Sequence, residues 1–268
     1  MNLSEQALAR LAQEPAVWVT VQATQGSVPR DAGTWMAVFA QGILGTIGGG
    51  RVEFEAILEA RRRLAPGAGG DPVLRYPLGP ALGQCCGGVM HLHFEPVGAA
   101  DVPPLRDRLV AVRAPVALFG GGHVGQALVD VLVRLPFRLA WIDSRDGIFP
   151  PLVPEHVVCE HSDPVHRAVD SLTPRSAVLV MSFSHAEDLD VVAQCLRRQR
   201  AAADLASIGL IGSATKWATF RHRLQQRGFS AAELGQVRCP IGLPGIAGKE
   251  PAVIAVAVAA QLLQDRTV

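Results

Sequence analysis

The sequence predicts an α/β protein with an N-terminal α+β domain of mixed or antiparallel strands and a C-terminal Rossmann-like domain with a doubly wound parallel sheet. After residue 115, apolar β-rich runs alternate regularly with helical patterns, as in a parallel sheet. Before residue 100, several strand patterns and two helices occur without that alternation. Between them lies a segment with two adjacent prolines and several charged residues. The predicted domains are therefore 1–100 and 115–268, with 101–114 as the linker.

Short patterns separated by turn residues make up the N-terminal domain. The chain starts with an acid-containing amphipathic helix, which lacks the apolar block of a signal peptide. Gln41-Gly42 separates two β-rich runs and predicts a hairpin. Residues 89–97 alternate in polarity, which predicts a strand with His91 and His93 on one face. The other predicted strands are 16–23, 35–40, 43–47 and 73–76, and a helix is predicted over 51–64.

A run of three glycines precedes that second helix. The N–H groups at the start of a helix can bind an anion, so Gly48, Gly49 and Gly50 are candidates for contact with a phosphate. Arg30 could add a bidentate guanidinium contact. The alternative is a turn that needs glycine only for its positive φ, with Arg30 on the surface.

Two adjacent thiols, Cys85 and Cys86, lie in a glycine-rich loop. With His91 and His93 they raise the hypothesis of a zinc site. Vicinal cysteines do not usually reach one tetrahedral ion without strain, so no metal site is predicted. A single thiol that contacts a ligand, with neighbouring glycine N–H groups favouring the thiolate, is the preferred hypothesis. A small buried apolar residue is the alternative.

The C-terminal domain begins with a dinucleotide-binding pattern. An apolar run leads into Gly120, Gly122 and Gly125, which satisfy G-x-G-x-x-G, and a helical pattern and a second apolar run ending at Asp143 follow. Gly120 permits the tight turn, Gly122 lets a pyrophosphate approach the backbone, and Gly125 lets the helix pack on the strand. Asp143 could accept hydrogen bonds from an adenosine ribose. The alternative is a Rossmann-like unit whose glycines serve packing alone.

The remaining residues continue the alternation of strands and helices. Ser184 is the predicted N-cap of one helix, and a final helix that is apolar almost all round needs cover from the sheet, the other domain or a partner subunit. The predicted strands are 157–159, 177–181 and 206–211, and the predicted helices run from Ser162 or Asp163 to 172, over 186–198, from 214 to 227 and over 252–263.

Three side chains fall where ligands bind in such sheets, beyond the carboxyl ends of the strands: His123, His185 and Lys216. A dehydrogenase would use His185 as a proton relay steered by Asp188. An isolated histidine more often caps a helix or packs. Lys216 lies where a cation would meet a phosphate, and an exposed lysine is the alternative.

Bulk properties exclude several classes of protein. The 268 residues carry a formal net charge of +1, so no basic surface for nucleic acid is predicted. Five cysteines, an odd number in a chain of this length, argue for a reducing compartment. The longest apolar run, 252–260, is too short to span a bilayer. A soluble cytoplasmic protein is therefore predicted.

Six segments, taken in order, resemble the XdhC/CoxI family, and within it the XdhC accessory proteins of bacterial xanthine dehydrogenase. The resemblance covers nearly the whole chain, and the order and spacing of the segments make it specific. The segments are GSVPRDAG at 26–33, GTIGGGRVE at 45–53, LGQCCGG at 82–88, LFGGGHVG at 118–125, IGSATK at 211–216 and CPIGLPGIAGKEPAVIA at 239–255.

The resemblance implies a non-catalytic chaperone whose cargo is the molybdenum cofactor, molybdopterin. Such a chaperone protects the cofactor while a cysteine desulfurase sulfurates it, and then delivers it to xanthine dehydrogenase. Molybdenum cofactor biosynthesis proteins and a second copy of the chain are further implied partners. The implied ligand contacts line a cleft between the domains, with a thiol near the molybdenum or dithiolene end. They are Arg30, Gly48, Gly49, Gly50, Cys85, Cys86, Gly120, Gly121, Gly122, His123, Gly125, Asp143 and Lys216.

Two other functions fit part of the pattern. Asp143 and His185 favour an NAD(P)-dependent oxidoreductase, in which Arg145 could also take a 2'-phosphate. A dinucleotide-sensing module would bind the ligand without chemistry. The N-terminal domain offers glycines and thiols, whereas hydride transfer needs an acid–base pair beside the substrate. The sequence therefore predicts a carrier with no catalytic residues.

Overall fold

A computed structural model describes residues 3–78, 87–111 and 113–266. The chain divides into two compact units, Met1–Leu109 and Val110–Val268. The division falls inside the segment 101–114, most of which forms helix α3, Val102–Ala111. Its two prolines lie in the first turn, where the missing N–H groups would have no intrahelical acceptor.

An antiparallel sheet forms the centre of the first unit, as predicted. Within the described residues it has five strands in the order β3-β2-β1-β5-β4. The strands are β1 Ala16–Gln25, β2 Trp35–Phe39, β3 Ile43–Gly45, β4 Val73–Pro77 and β5 Val89–Val97. The other helices of this unit are α1 Leu3–Leu11, α2 Gly50–Arg63 and the short 3-10 helix Ala99–Asp101.

The two faces of this sheet pack against different helices. Met90, Leu92 and Phe94 of β5 are buried in the cluster that includes the apolar side of α2. The opposite face carries a second cluster, formed with α1 and α3. His91 and His93 are half-buried and alternate with the buried residues, which confirms that they share one face.

A parallel sheet forms the centre of the second unit. In the described part of the chain it has six strands in the order β11-β10-β9-β6-β7-β8, and all their pairings are parallel. The strands are β6 Ala114–Phe119, β7 Phe137–Asp143, β8 Val157–His161, β9 Ala177–Val180, β10 Ser207–Leu210 and β11 Val237–Arg238. The helices are α4 His123–Leu132, α5 His185–Ala202, α6 Ala214–Gln226, α7 Ala231–Leu234 and α8 Pro251–Asp265.

Helices cover both faces of this sheet, which confirms the doubly wound prediction. α4 and α8 share one cluster with the sheet, and α5 and α6 belong to the cluster on the other face. The sheet and α4 therefore supply the cover that the apolar final helix needs, although Val256 on its outer side stays 52% exposed. The helix predicted up to residue 172 is a 3-10 helix, Val165–Ser171, with Arg167 N–H donating to the Pro164 carbonyl three residues earlier.

No helix in the described ranges is both long and apolar enough to cross a membrane.

Candidate functional site

The strand order of the second unit creates a switch point between β6 and β9. From β6 the chain continues through β7 and β8 on one side, and from β9 it continues through β10 and β11 on the other. Ligands of such sheets bind at the carboxyl ends of the strands beside this point. Gly120 follows β6 with φ +127, and a Cβ placed on it would lie 2.0 Å from the Met181 carbonyl oxygen after β9. Only glycine fits there.

The glycine loop leaves two backbone amides open at this point. A Cβ placed on Gly125 would lie 2.0 Å from the Gly120 carbonyl oxygen, so this residue permits the close packing of α4 on the loop. Gly122, the N-cap of α4, has no other atom within 4 Å of its Cβ position and makes no side-chain cap bond. Among the described residues, no acceptor takes a hydrogen bond from the N–H of Gly122 or of the exposed His123. An anion can therefore reach these amides.

Asp143 holds the loop from within. Its side chain is 1% exposed and accepts hydrogen bonds from Gly121 N at 2.6 Å and from the backbone N, Nε and Nη2 of Arg145 at 2.9, 2.9 and 2.8 Å. Burial by itself would raise the pKa of Asp143, but the bonds from Arg145 and Gly121 outweigh it and lower that pKa. This stabilisation is therefore present above the ordinary aspartate pKa and is lost as the pH falls through the lowered value.

These four bonds leave Asp143 little capacity to accept hydrogen bonds from a ribose. A carboxylate offers about four lone-pair positions, and Asp143 already receives four donors. A ribose hydroxyl would have to displace Arg145, whose guanidinium also lies 4.7 Å from the centre of the Phe183 ring. The acid at the end of β7 thus fixes the glycine loop, because the folded chain brings Arg145 and Gly121 onto it.

Lys216 is engaged in a buried ion pair. Its Nζ donates to Asp188 Oδ2 at 2.6 Å and to the Ile211 carbonyl at 2.8 Å, and the two charged side chains are only 13% and 3% exposed. Asp188 Oδ1 also accepts from Ser182 N at 2.7 Å. The alternative of an exposed lysine is therefore wrong, and contact between Lys216 and a phosphate stays a prediction for a cation that already has a carboxylate partner. This pair ties the segment after β9, at Ser182, to the segment after β10, at Ile211.

His185 does not form the relay that the dehydrogenase alternative would need. It is exposed at the first position of α5, and its ring meets Phe220 edge-on at 6.3 Å. Asp188, the proposed steering group, instead bonds to Ser182 and Lys216. The described contacts therefore give His185 a packing partner and no carboxylate to orient it.

The first glycine turn, in the N-terminal unit, already has an anion. Glu53 Oε2 accepts from Ile47 N at 2.9 Å and from Gly49 N at 3.2 Å, and Gly48 N donates to Thr46 Oγ1 at 3.1 Å. Glu53 lies in the first turn of α2, where a carboxylate is favoured by the helix dipole. The amides of Gly48 and Gly49 are thus occupied within the chain, and no described acceptor takes the N–H of Gly50.

Arg30 lies beside this turn. A Cβ on Gly48 would lie 3.2 Å from Arg30 Cγ, and the Arg30 side chain is exposed. The same loop reaches Gly88, whose Cβ position is 2.4 Å from the Ser27 carbonyl oxygen. Cys85 and Cys86 lie outside the described residues. Within 3–78, 87–111 and 113–266, no group of three His, Cys, Asp or Glu residues could hold a metal ion.

The loop before α8 borders a cavity that the residue pattern does not predict. A cavity of about 450 Å³ lies between residues 240–248, the start of α8, and Ile211 and Gly212 after β10. Gly242 N donates to Gln261 Oε1 at 2.6 Å, and this glutamine is only 5% exposed. The available signal was Gln261, a polar residue directly after the apolar run 252–260, because a buried amide needs a partner.

The comparisons with known proteins identify the family. Residues 116–262 match the XdhC Rossmann domain, and residues 9–77 match the XdhC and CoxI family. The chain belongs to the XdhC family. The first XdhC match contains the open glycine loop, the ion pairs of Asp143 and Asp188, and all the residues that line the cavity. The second contains Arg30 and the first glycine turn, and the loop with the two thiols lies outside both.

Two relatives cover almost the whole of this XdhC chain. The uncharacterized protein YqeB of Escherichia coli is 27% identical over 278 aligned residues, which include 98% of the chain but only 46% of YqeB. The chain therefore spans about half the length of that curated relative. A crystal structure from Bacillus halodurans, described as a xanthine dehydrogenase, superposes with a TM-score of 0.74 at 19% identity and covers 99% of this chain and 96% of its own. That likeness concerns the fold.

Proposed function

We propose that this XdhC protein is an accessory factor that carries the molybdenum cofactor, protects it during sulfuration and delivers it to a xanthine dehydrogenase. One observation carries the proposal: the amides of Gly122 and His123 are open to an anion at the switch point of the sheet. Molybdopterin ends in a phosphate, and a helix start with unengaged N–H groups is suited to bind one. Membership of the XdhC family supports the molybdenum cofactor as the proposed cargo.

The charged groups at this edge favour holding a ligand over chemistry. Asp143 is saturated by Arg145 and Gly121, and Asp188 is paired with Lys216. A general acid or base must be within hydrogen-bond reach of a substrate proton, whereas these carboxylates serve the loop and the strand ends. The arrangement supports a preformed cradle for a carried molecule rather than hydride transfer with NAD(P).

The N-terminal unit contributes the remaining proposed contacts. Arg30 and the amide of Gly50 are the groups near the first glycine turn that have no described partner. Cys85 or Cys86 is proposed to contact the molybdenum or dithiolene end, where a soft thiolate suits the metal. The proposed protein partners are a cysteine desulfurase, cofactor biosynthesis proteins, the recipient dehydrogenase and a second copy of the chain.

Gly122→Val tests the phosphate contact. Gly122 has φ −71 and open space around its Cβ position, so valine should fold while it blocks approach to the amides. Loss of charge-assisted bonds worth about 1.5–3 kcal/mol should weaken molybdopterin binding about tenfold to a hundredfold. The measurement is the amount of fluorescent pterin released from protein purified out of molybdopterin-producing cells, alongside titration with NAD(H) and NADP(H).

Gly98→Val is the matched control, because Gly98 also lacks nearby atoms around its Cβ position and has an extended backbone, with φ −141. Its pterin content should equal that of the wild type. Equal pterin in correctly folded Gly122→Val protein would place the phosphate elsewhere. Absence of pterin from the wild type, with tight nicotinamide binding, would contradict the carrier function.

The thiol role is tested by Cys85→Ala and Cys86→Ala, made separately. Removal of the thiol that contacts the metal end should reduce activation of the recipient dehydrogenase several-fold, while the other variant behaves as the wild type. Dehydrogenase activity after co-expression is the readout. If both variants activate the enzyme fully and retain pterin, neither thiol contacts the cargo.

A further inference from the structure

Three features of the second unit lie at the carboxyl ends of strands that are neighbours in the sheet. The open amides of Gly122 and His123 follow β6, Ser182 follows β9, and the wall of the cavity at Ile211 follows β10. The strands are neighbours in the order β6, β9, β10. Neighbouring strands lie about 4.8 Å apart, so the ends of β6 and β10 are separated by about 10 Å.

Ser182 has a buried hydroxyl without a partner. Its Oγ is shielded from solvent and makes no hydrogen bond within the described structure. Its backbone N–H, in contrast, donates to Asp188, so the residue is held in place. A buried polar group without a partner costs folding free energy. Because Ser182 as a residue is only half-buried, rotation of its side chain would bring the hydroxyl to a polar ligand atom and recover that cost.

The cavity after β10 has the size and lining of a small-molecule site. Its volume of about 450 Å³ is within the range of ligand pockets, about 300–1,000 Å³. Apolar side chains line it, among them Ile211, Ile241, Leu243 and Val253. The loop also supplies backbone polar groups to the lining, and Gly245 in that lining has φ +90 and no other atom within 4 Å of its Cβ position. Such a pocket suits a flat heterocyclic ring with polar edges.

Buried bonds fix these features relative to each other. The Asp188–Lys216 pair holds Ser182 N through Asp188 and the Ile211 carbonyl through Lys216. On the far side of the loop, Leu243 N donates to the Ala257 carbonyl at 3.1 Å. The pocket and the backbone at Ser182 are therefore held before any ligand arrives, which lowers the entropy cost of binding.

We infer that one extended ligand lies along this edge, with its phosphate on the amides of Gly122 and His123, a polar linking group on the Ser182 hydroxyl and its ring in the cavity beside Val253. This assignment rests on the proposed function, which makes the ring that of a pterin. The separation of about 10 Å between the first and third strand ends suits a phosphate and a ring joined by a short linker.

Val253→Trp tests the ring pocket. Val253 is half-buried at the start of α8 and lines the cavity, so an indole there would fill the space that a ring needs. Binding of 6-hydroxymethylpterin, a ring without phosphate, should weaken about tenfold or more in a calorimetric titration. Val256→Trp is the matched control, since Val256 lies on the same helix, 52% exposed and outside the cavity lining. It should bind as the wild type does.

Ser182→Ala tests the central contact. Loss of one neutral hydrogen bond should weaken molybdopterin binding about threefold to tenfold. The Tm of the ligand-free protein should stay the same or rise, because the removed hydroxyl has no partner. A purely structural role for Ser182 would lower that Tm and leave the affinity unchanged.

The results separate this inference from the carrier function. Wild-type protein that retains molybdopterin, with equal affinity in Val253→Trp and Ser182→Ala, would overturn the extended site and leave the carrier function intact. If the wild type retains no pterin, the carrier function fails. The extended site is then tested with NADH, a molecule in which phosphates are already linked to rings. Weaker NADH binding by both variants than by the wild type would then support the extended site, and NADH binding equal to that of the wild type would overturn it.

Discussion

Gly125→Ala is expected to lower the free energy of unfolding of the second unit by about 3–5 kcal/mol. The added Cβ would lie 2.0 Å from the Gly120 carbonyl oxygen and 3.1 Å from its carbon, far inside van der Waals contact. The same oxygen accepts the indole N–H of buried Trp141 at 3.1 Å. Any movement of Gly120 that relieves the clash therefore also disturbs this bond. Urea unfolding followed by circular dichroism is the measurement.

Gly122→Ala is the control for that substitution. It lies three residues earlier in the same loop, and its Cβ position has no other atom within 4 Å. The change should cost less than about 1 kcal/mol, the usual scale of an N-cap change. Similar stability losses for Gly122→Ala and Gly125→Ala would show that the close packing of α4 on the loop does not decide stability.

Lys216→Ala is expected to cost about 3–5 kcal/mol of stability, because it leaves the charge of buried Asp188 without its cation. A lysine that served only a phosphate would be exposed, and its removal would alter affinity with little change in stability. Thermal and urea unfolding of the ligand-free protein separate these two roles. The double variant with Asp188→Ala should lose less than the sum of the single losses, since the two residues share one interaction.

Arg227→Ala provides the comparison. Arg227 also pairs with an aspartate of α5, Asp190, at 2.7 Å, but those side chains are 40% and 44% exposed. Solvent screening should limit its effect to less than about 1 kcal/mol. If Lys216→Ala were as mild as Arg227→Ala, the pair between Lys216 and Asp188 would not hold the strand ends as inferred here.

Local patterns predicted most of the elements because their signals lie close together in sequence. The alternation in β5 placed His91 and His93 on one face, and the structure confirms it. Ser184 was predicted as an N-cap, and its side chain accepts from Glu187 N at 3.2 Å. The 3-10 helix before β9 was missed, because the residue pattern of a short helix does not distinguish i→i+3 from i→i+4 bonding.

The roles of charged site residues were harder to predict. Asp143 and Lys216 were placed correctly at the carboxyl edge of the sheet, but their partners were not foreseen. Asp188 and Lys216 are 28 residues apart, and Gly121 and Asp143 are 22 apart. Sequence spacing gives no measure of such approaches, which depend on how the strands line up. A charged residue near a predicted site is therefore equally consistent with binding a ligand or supporting the loop that binds it.

The sequence by itself determined the succession of strand, glycine turn and helix, and with it the place where an anion could meet open amides, because backbone conformation and helix starts are local properties. Tertiary structure alone decided which amides of the second glycine loop remain open: Asp143, 22 residues from Gly121, takes the Gly121 N–H, whereas Gly122 stays accessible. It also decided that residues 240–248 enclose a cavity. Those outcomes depend on contacts between distant segments, since a buried donor or acceptor takes whichever partner the fold brings within reach.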